Sequence, residues 1–124
     1  MRLLLDSNAF LWWVTNSHRL SAMAREAITD DTNAILVGIG SLWELAIKRS
    51  IGKLDFPHDF RAVLSDEAFE LLPINFEHLC VLEALPLHHR DPFDRLLIAQ
   101  AIAENIAVVT TDSRFGRYDV RVFW

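Results

Sequence analysis

A single cysteine, Cys80, occurs in the 124 residues, so neither a disulfide framework nor a zinc site built on a cysteine cluster is available. No apolar run is long enough for a membrane span. The opening one, Leu3-Leu4-Leu5, is broken at once by Asp6, which also argues against a signal peptide. Positive charge is scarce: 12 Lys and Arg against 17 Asp and Glu give a formal net charge of −5. That balance counts against a polyanionic partner, because phosphate contact relies on Lys and Arg, although local clustering or bound divalent cations can override the sum. Repeats, low-complexity tracts and shifts in composition are missing too, which leaves no place for a domain boundary. These absences predict one reduced, cytoplasmic domain over residues 1–124, with 52% apolar residues to form its core.

What is present is centred on residues 88–112. Asp91 is an N-cap, Pro92 holds its preferred first helical position, and Asp94 falls at N3, where a carboxylate meets unpaired amides. The helix that follows is apolar almost all round, so it is predicted to be buried on most sides and closed by Asn105. Residues 106–110 read as a central parallel strand, with Asp112 directly after it. Upstream, residues 2–5 are a first strand. Asp6, Ser7 or Asn8 caps a helix through Val14, and a second helix runs over 21–30. Residues 34–37 form the second strand. Gly38-Ile39-Gly40 reads as a flexible exit from it, and Ser41 starts a helix over 42–49. A loop then leads to a helix near 59–64, a short strand within 69–74, and an Asn75-capped helix through Leu82. Residues 120–123 are the last strand. Strands alternating with helical patterns predict a parallel α/β sandwich.

Open parallel sheets bind ligands beyond the carboxyl ends of their strands. Asp6 and Asp112 each follow a strand, and Glu44 and Asp94 are predicted in first helical turns that begin at the same edge. Four gathered carboxylates suppress one another's ionisation, which hard divalent cations relieve. The helix starts also favour ionised Glu44 and Asp94. Phosphodiester hydrolysis uses such a site to acidify water and stabilise the leaving oxygen. Each acid has a structural alternative. Ser41 with Glu44 is a capping box, Asp94 with Asp91 is a cap pair, Asp6 is a cap, and Asp112 is a turn former. Joint placement at one edge favours the site.

Leu3-Leu4-Leu5-Asp6-Ser7-Asn8, Ser41-Leu42-Trp43-Glu44-Leu45-Ala46-Ile47-Lys48, Asp91-Pro92-Phe93-Asp94-Arg95-Leu96-Leu97-Ile98-Ala99-Gln100-Ala101 and Val109-Thr110-Thr111-Asp112 together resemble a PIN-domain protein. More narrowly, they resemble VapC-type ribonuclease toxins of type II toxin–antitoxin systems. The resemblance covers nearly the whole chain, and the segment from Asp91 to Ala101 is its most specific part. It implies a three-layer α/β/α sandwich and a Mg²⁺- or Mn²⁺-dependent endoribonuclease. It also implies a homodimer and control by a cognate VapB-like antitoxin, a small DNA-binding protein. By position, Asp6, Glu44, Asp94 and Asp112 match the family's acidic quartet. Ser7 and Asn8 match the polar positions that orient Asp6 or bound water. Asp91 lies close enough to compete with Asp94, and its place before Pro92 assigns it to structure.

Around these acids, Arg90, Arg95 and Arg114, with Arg117, and Lys48 and Arg49, with Lys53, are candidates to track an RNA backbone, against ordinary surface charge as the alternative. His88 and His89 read as loop residues beside the site. Trp12 and Trp13 are adjacent on a helix and cannot share one core face, so one is expected to line an antitoxin or dimer groove. Trp43 is expected to be buried beside Leu42, Ala46 and Ile47, and Cys80 to be a small packed residue. Two other functions compete with cleavage. A phosphoacceptor receiver domain needs paired acids after the first strand and a late lysine, whereas Ser7 follows Asp6 and no lysine follows Lys53. A catalytically idle PIN-like RNA- or protein-binding module would have no need of four acids.

Overall fold

The computed structural model describes residues 1–124. In chain order the elements are β1 (Arg2–Leu5), α1 (Ser7–Val14), α2 (Ala22–Thr29), β2 (Ala34–Gly38), α3 (Ile39–Ser50), α4 (Phe60–Glu67), β3 (Glu70–Leu72), α5 (Phe76–Ala84), α6 (Pro92–Glu104), β4 (Ala107–Val109) and β5 (Val122–Phe123). A 3-10 turn over Ser113–Arg117 separates the last two strands. All pairings are parallel, in the order β3-β2-β1-β4-β5. The sheet therefore grows from β1 to one side and then restarts on the other. This puts the topological switch, and the crevice that accompanies it, between β1 and β4.

Side-chain alternation divides the strands between two cores. Leu3, Leu5, Ile35, Val37, Ala107 and Val109 face one layer, where Phe10, Ala24, Leu45 and Val63 meet them from α1, α2, α3 and α4. Leu4, Leu36 and Val108 face the other, against Leu97, Ile98 and Ala101 of α6 and Phe115 of the 3-10 turn. Helices cover both faces, as the predicted three-layer sandwich requires. With side chains engaged on several sides, α6 is the most buried helix, its residues from Leu96 to Ala101 all buried. Asp91 and Asn105 cap it as predicted, Asn105 with a left-handed φ of 53°.

Two expectations fail. Residues 38–40 are not a flexible exit: α3 begins at Ile39, with Gly38 as its cap and no side-chain cap bond. Tertiary packing decides this, because α3 crosses so close to α6 that a Cβ on Gly40 would lie 2.7 Å from Leu96 Cδ2. A residue without a side chain lets the helices meet there, and helix propensity is overridden. In consequence Ser41 caps nothing, and Glu44 stands in the second turn of α3 rather than the first. Cys80 is exposed rather than packed. On α5, Asn75 caps as predicted, and the capping partner is the buried His78, whose Nδ1 accepts the Asn75 amide. Its Nε2 lies 3.1 Å from Glu104, joining the start of α5 to the end of α6.

Candidate active site

Asp6 follows β1 directly, and its amide donates to the Val109 carbonyl at 3.2 Å, which fixes it at the mouth of the β1–β4 crevice. Its Oδ1 accepts the Ala9 amide at 2.7 Å as the cap of α1. Thr110, fully buried just past β4, hydrogen-bonds the same carboxylate and accepts the Asp112 amide on its hydroxyl at 3.0 Å. One threonine thus ties two acids together. Sequence reading passed over it, although a hydroxyl at a strand end two residues before an acid is the available signal. Ser7 and Asn8 stand at the start of α1, beside Asp6, whose own hydrogen-bond partners are Ala9 and Thr110.

Burial raises the Asp6 carboxyl above its ordinary value; the hydrogen bonds from Thr110 and Ala9 oppose this, and the charges of Asp112 and Glu44 add to it. Asp94 is pushed up to about 7, first by burial and then by Asp91, with His89 opposing and Glu44 and Asp6 contributing further. The predicted support from the helix start therefore loses to desolvation and like charge. Asp112 behaves oppositely. Burial pushes it up, but hydrogen bonds from the Arg114 side chain and backbone and from His89 outweigh this and hold it at about 2. Glu44 is mostly covered, with Lys48 at 3.5 Å. Four acids from separate segments thus lie within one another's field at one rim.

His89 is the residue whose importance the sequence understated. Its ring is buried, with Nε2 at 3.0 Å from Asp94 Oδ2 and 3.1 Å from Asp112 Oδ2. Because Nδ1 accepts the Asp91 amide at 3.2 Å, the ring proton belongs on Nε2, shared between the two carboxylates. The loop carrying it is strapped from below. The Tyr118 hydroxyl accepts the amides of His88 and His89 and donates to the Pro86 carbonyl. Arg95 donates to the carbonyls of Leu85, Pro86 and His89. His89, Asp94 and Asp112 also form a group whose ligand atoms lie within 4.8 Å of one another.

The predicted cations divide sharply. Arg95 holds the loop, and Arg49 donates to the Phe56 and His58 carbonyls with its guanidinium 4.4 Å from the Phe60 ring, so neither head is free for a phosphate. Arg114 is half-exposed but clamps both oxygens of Asp112, and Lys48 pairs with Glu44. Arg90 and Arg117 are exposed, as are Lys53 and His88. Trp12 and Trp13 do not diverge as expected, since both pack against the same core. Trp12 meets Trp124 edge-on, and Trp13 meets Phe69 while donating to Glu67. An apolar groove of about 410 Å³ lies between α3, α4 and β3, with Trp43 on its wall. Trp43 is 57% exposed rather than buried, because Leu42 and Leu45 already occupy the inward face of α3.

Family models match the chain as a PIN domain over residues 3–121. No curated protein matches it significantly. Solved structures share the fold at low identity. VapBC-1 from nontypeable Haemophilus influenzae has a TM-score of 0.69 at 17% identity, covering 98% of this chain and 96% of that one. VapBC2 from Rickettsia felis, bound to a DNA fragment from its promoter, gives 0.68 at 16%, covering 98% and 97%. A toxin–antitoxin complex from Klebsiella pneumoniae gives 0.64 at 16%, covering 97% and 94%.

Proposed function

The chain belongs to the PIN domain family, and from that premise we propose that it is a divalent-cation-dependent endoribonuclease, the VapC-type toxin of a toxin–antitoxin pair. The observation that carries this reading is the gathering of Asp6, Glu44, Asp94 and Asp112 at one rim, where the charges of Glu44 and Asp112 act on Asp6, those of Glu44 and Asp6 act on Asp94, and His89 Nε2 bridges Asp94 and Asp112. Surplus negative charge on carboxylate oxygens is the donor set that suits Mg²⁺ or Mn²⁺, so the residues present fit the cation. Asp6, Glu44, Asp94 and Asp112 would hold it. When bound, it supplies Lewis-acid stabilisation of the phosphate and acidifies water.

The chain's own residues position the reacting groups. Thr110 fixes Asp6 to the Asp112 main chain, and the Tyr118–Arg95 scaffold fixes His89 against Asp94 and Asp112. Water attacks the phosphorus and the 3′ oxygen leaves, giving 5′-phosphate and 3′-hydroxyl ends with neither 2′-hydroxyl attack nor a covalent intermediate. An antitoxin is the proposed regulator, supported by the likeness to toxin–antitoxin complexes. A second copy of the chain, in a homodimer, is the other proposed partner. No helix is long and apolar enough to cross a membrane.

The test is cleavage of a labelled RNA panel with Mg²⁺, Mn²⁺ or EDTA, comparing wild type with Asp6→Asn and Asp94→Asn. Cleavage only with a divalent cation, leaving 5′-phosphate ends and nearly abolished in both variants, is the expected result. Cleavage in EDTA, a 2′,3′-cyclic phosphate product, or fully active variants would overturn the proposal.

A further inference from the structure

We propose that Trp43 and Phe93 form a stacking platform for one unstacked nucleobase of the RNA next to the cleaved phosphate, an assignment that rests on the ribonuclease reading above. α3 and α6 cross so that two pairs of side chains run side by side. Glu44 and Asp94 act on each other through their charges, while the Trp43 and Phe93 rings stand 5.0 Å apart at 83°. Each ring belongs to the residue immediately before an acid. Consecutive helical residues point about 100° apart, so the rings flank the acids without entering the cluster.

Packing alone does not account for Trp43. An edge-to-face contact engages one side of the indole, and the residue stays 57% exposed on the rim of the site. Trp43 also lines the apolar groove, together with Ile39, Leu42, Ala46, Phe60, Arg61 and Leu64. Unpaired bases have an aromatic face that stacks on such rings whatever their sequence. A nucleotide would use both features at once, its base on the aromatic pair and its phosphate toward the cation-holding acids. An apolar peptide would use the groove but draw nothing from the carboxylates beside it. The pairing of rings and acids on the same two helices therefore favours the nucleotide.

The experiment measures fluorescence anisotropy of a short fluorescein-labelled single-stranded RNA spanning a wild-type cleavage site, with Ca²⁺ replacing Mg²⁺ to suppress turnover. Wild type, Trp43→Phe and Trp43→Ala are each titrated against intact RNA and against RNAs made abasic at single positions flanking the cut. Trp43→Ala should bind intact RNA about 10- to 100-fold more weakly, while Trp43→Phe stays near wild type. One abasic position should weaken wild type comparably and weaken Trp43→Ala no further. Equal binding by Trp43→Ala, or an equal loss at every abasic position, would overturn the platform; if wild type still cleaves, the ribonuclease reading survives it. A wild type that neither binds nor cleaves RNA removes both. Weakened antitoxin binding with unchanged RNA binding would give the ring to a protein partner and also overturn the proposal.

Discussion

Asp94→Asn should stabilise the metal-free protein. A carboxyl raised from 3.8 to about 7, if sealed from solvent, would burden its ionised form by roughly 4 kcal/mol at about 1.4 kcal/mol per pH unit. Asp94 keeps 24% of its side chain exposed and is countered by His89, so screening reduces this to about 1–2 kcal/mol. The folded carboxyl titrates above the unfolded one. Its contribution is therefore intact below the unfolded value near 4 and is lost as pH rises through about 7. In EDTA at about pH 7.5 the variant should melt roughly 4–8 °C above wild type, and the gap should close near pH 4. Added Mg²⁺ should narrow or reverse the order, since wild type alone keeps all four carboxylates proposed to hold the cation, and a ligand that binds only the folded state stabilises it. Thermal melts by circular dichroism decide the matter. A variant that melts at or below wild type in EDTA, or a gap that persists at low pH, would refute the reasoning.

Tyr118→Phe removes the acceptor of the His88 and His89 amides, at 2.9 and 2.8 Å. Leaving the buried His89 amide unpaired should cost about 1–3 kcal/mol in urea unfolding, and undiminished stability would discount the strap. Asp112, held at about 2, contributes stability above pH 4 that fades as pH falls toward 2. Asp112→Asn should therefore flatten that acid limb in urea unfolding measured against pH, and an unchanged limb would contradict the role of Arg114. Gly40→Ala should destabilise the protein by about 1–3 kcal/mol by driving a methyl against Leu96. An unaltered unfolding midpoint would mean that α3 and α6 can separate freely.

Local chemistry made much of this molecule legible in advance. Asp91, Pro92 and Asn105 bound α6 as their cap preferences dictate, and β-branched runs located β2 and β4 to within a residue or two. The strand ends and the start of α6 also announced Asp6, Asp94 and Asp112. What escaped was decided across the chain. Gly38 and Gly40 read as breakers until α6 lies against them, and that packing moves the start of α3 and shifts Glu44 by a turn. Trp43 has the composition of a core residue, yet the inward positions of α3 were already filled. His89 looked like a loop residue because its partners are twenty-three residues downstream and on the next helix, and no spacing rule connects them. Strand order, likewise, is written in no single segment.

Asp6 binds an amide of α1 through the oxygen that caps the helix, so the side chain that begins α1 is also the deepest negative charge of the site. Deleting it confounds two effects, because an alanine there both lightens the local charge and frays a helix that packs on the central strand. Asparagine keeps a suitable cap and discards only the charge. For this position, then, the choice of replacement determines whether an inactive protein reports on chemistry or on architecture.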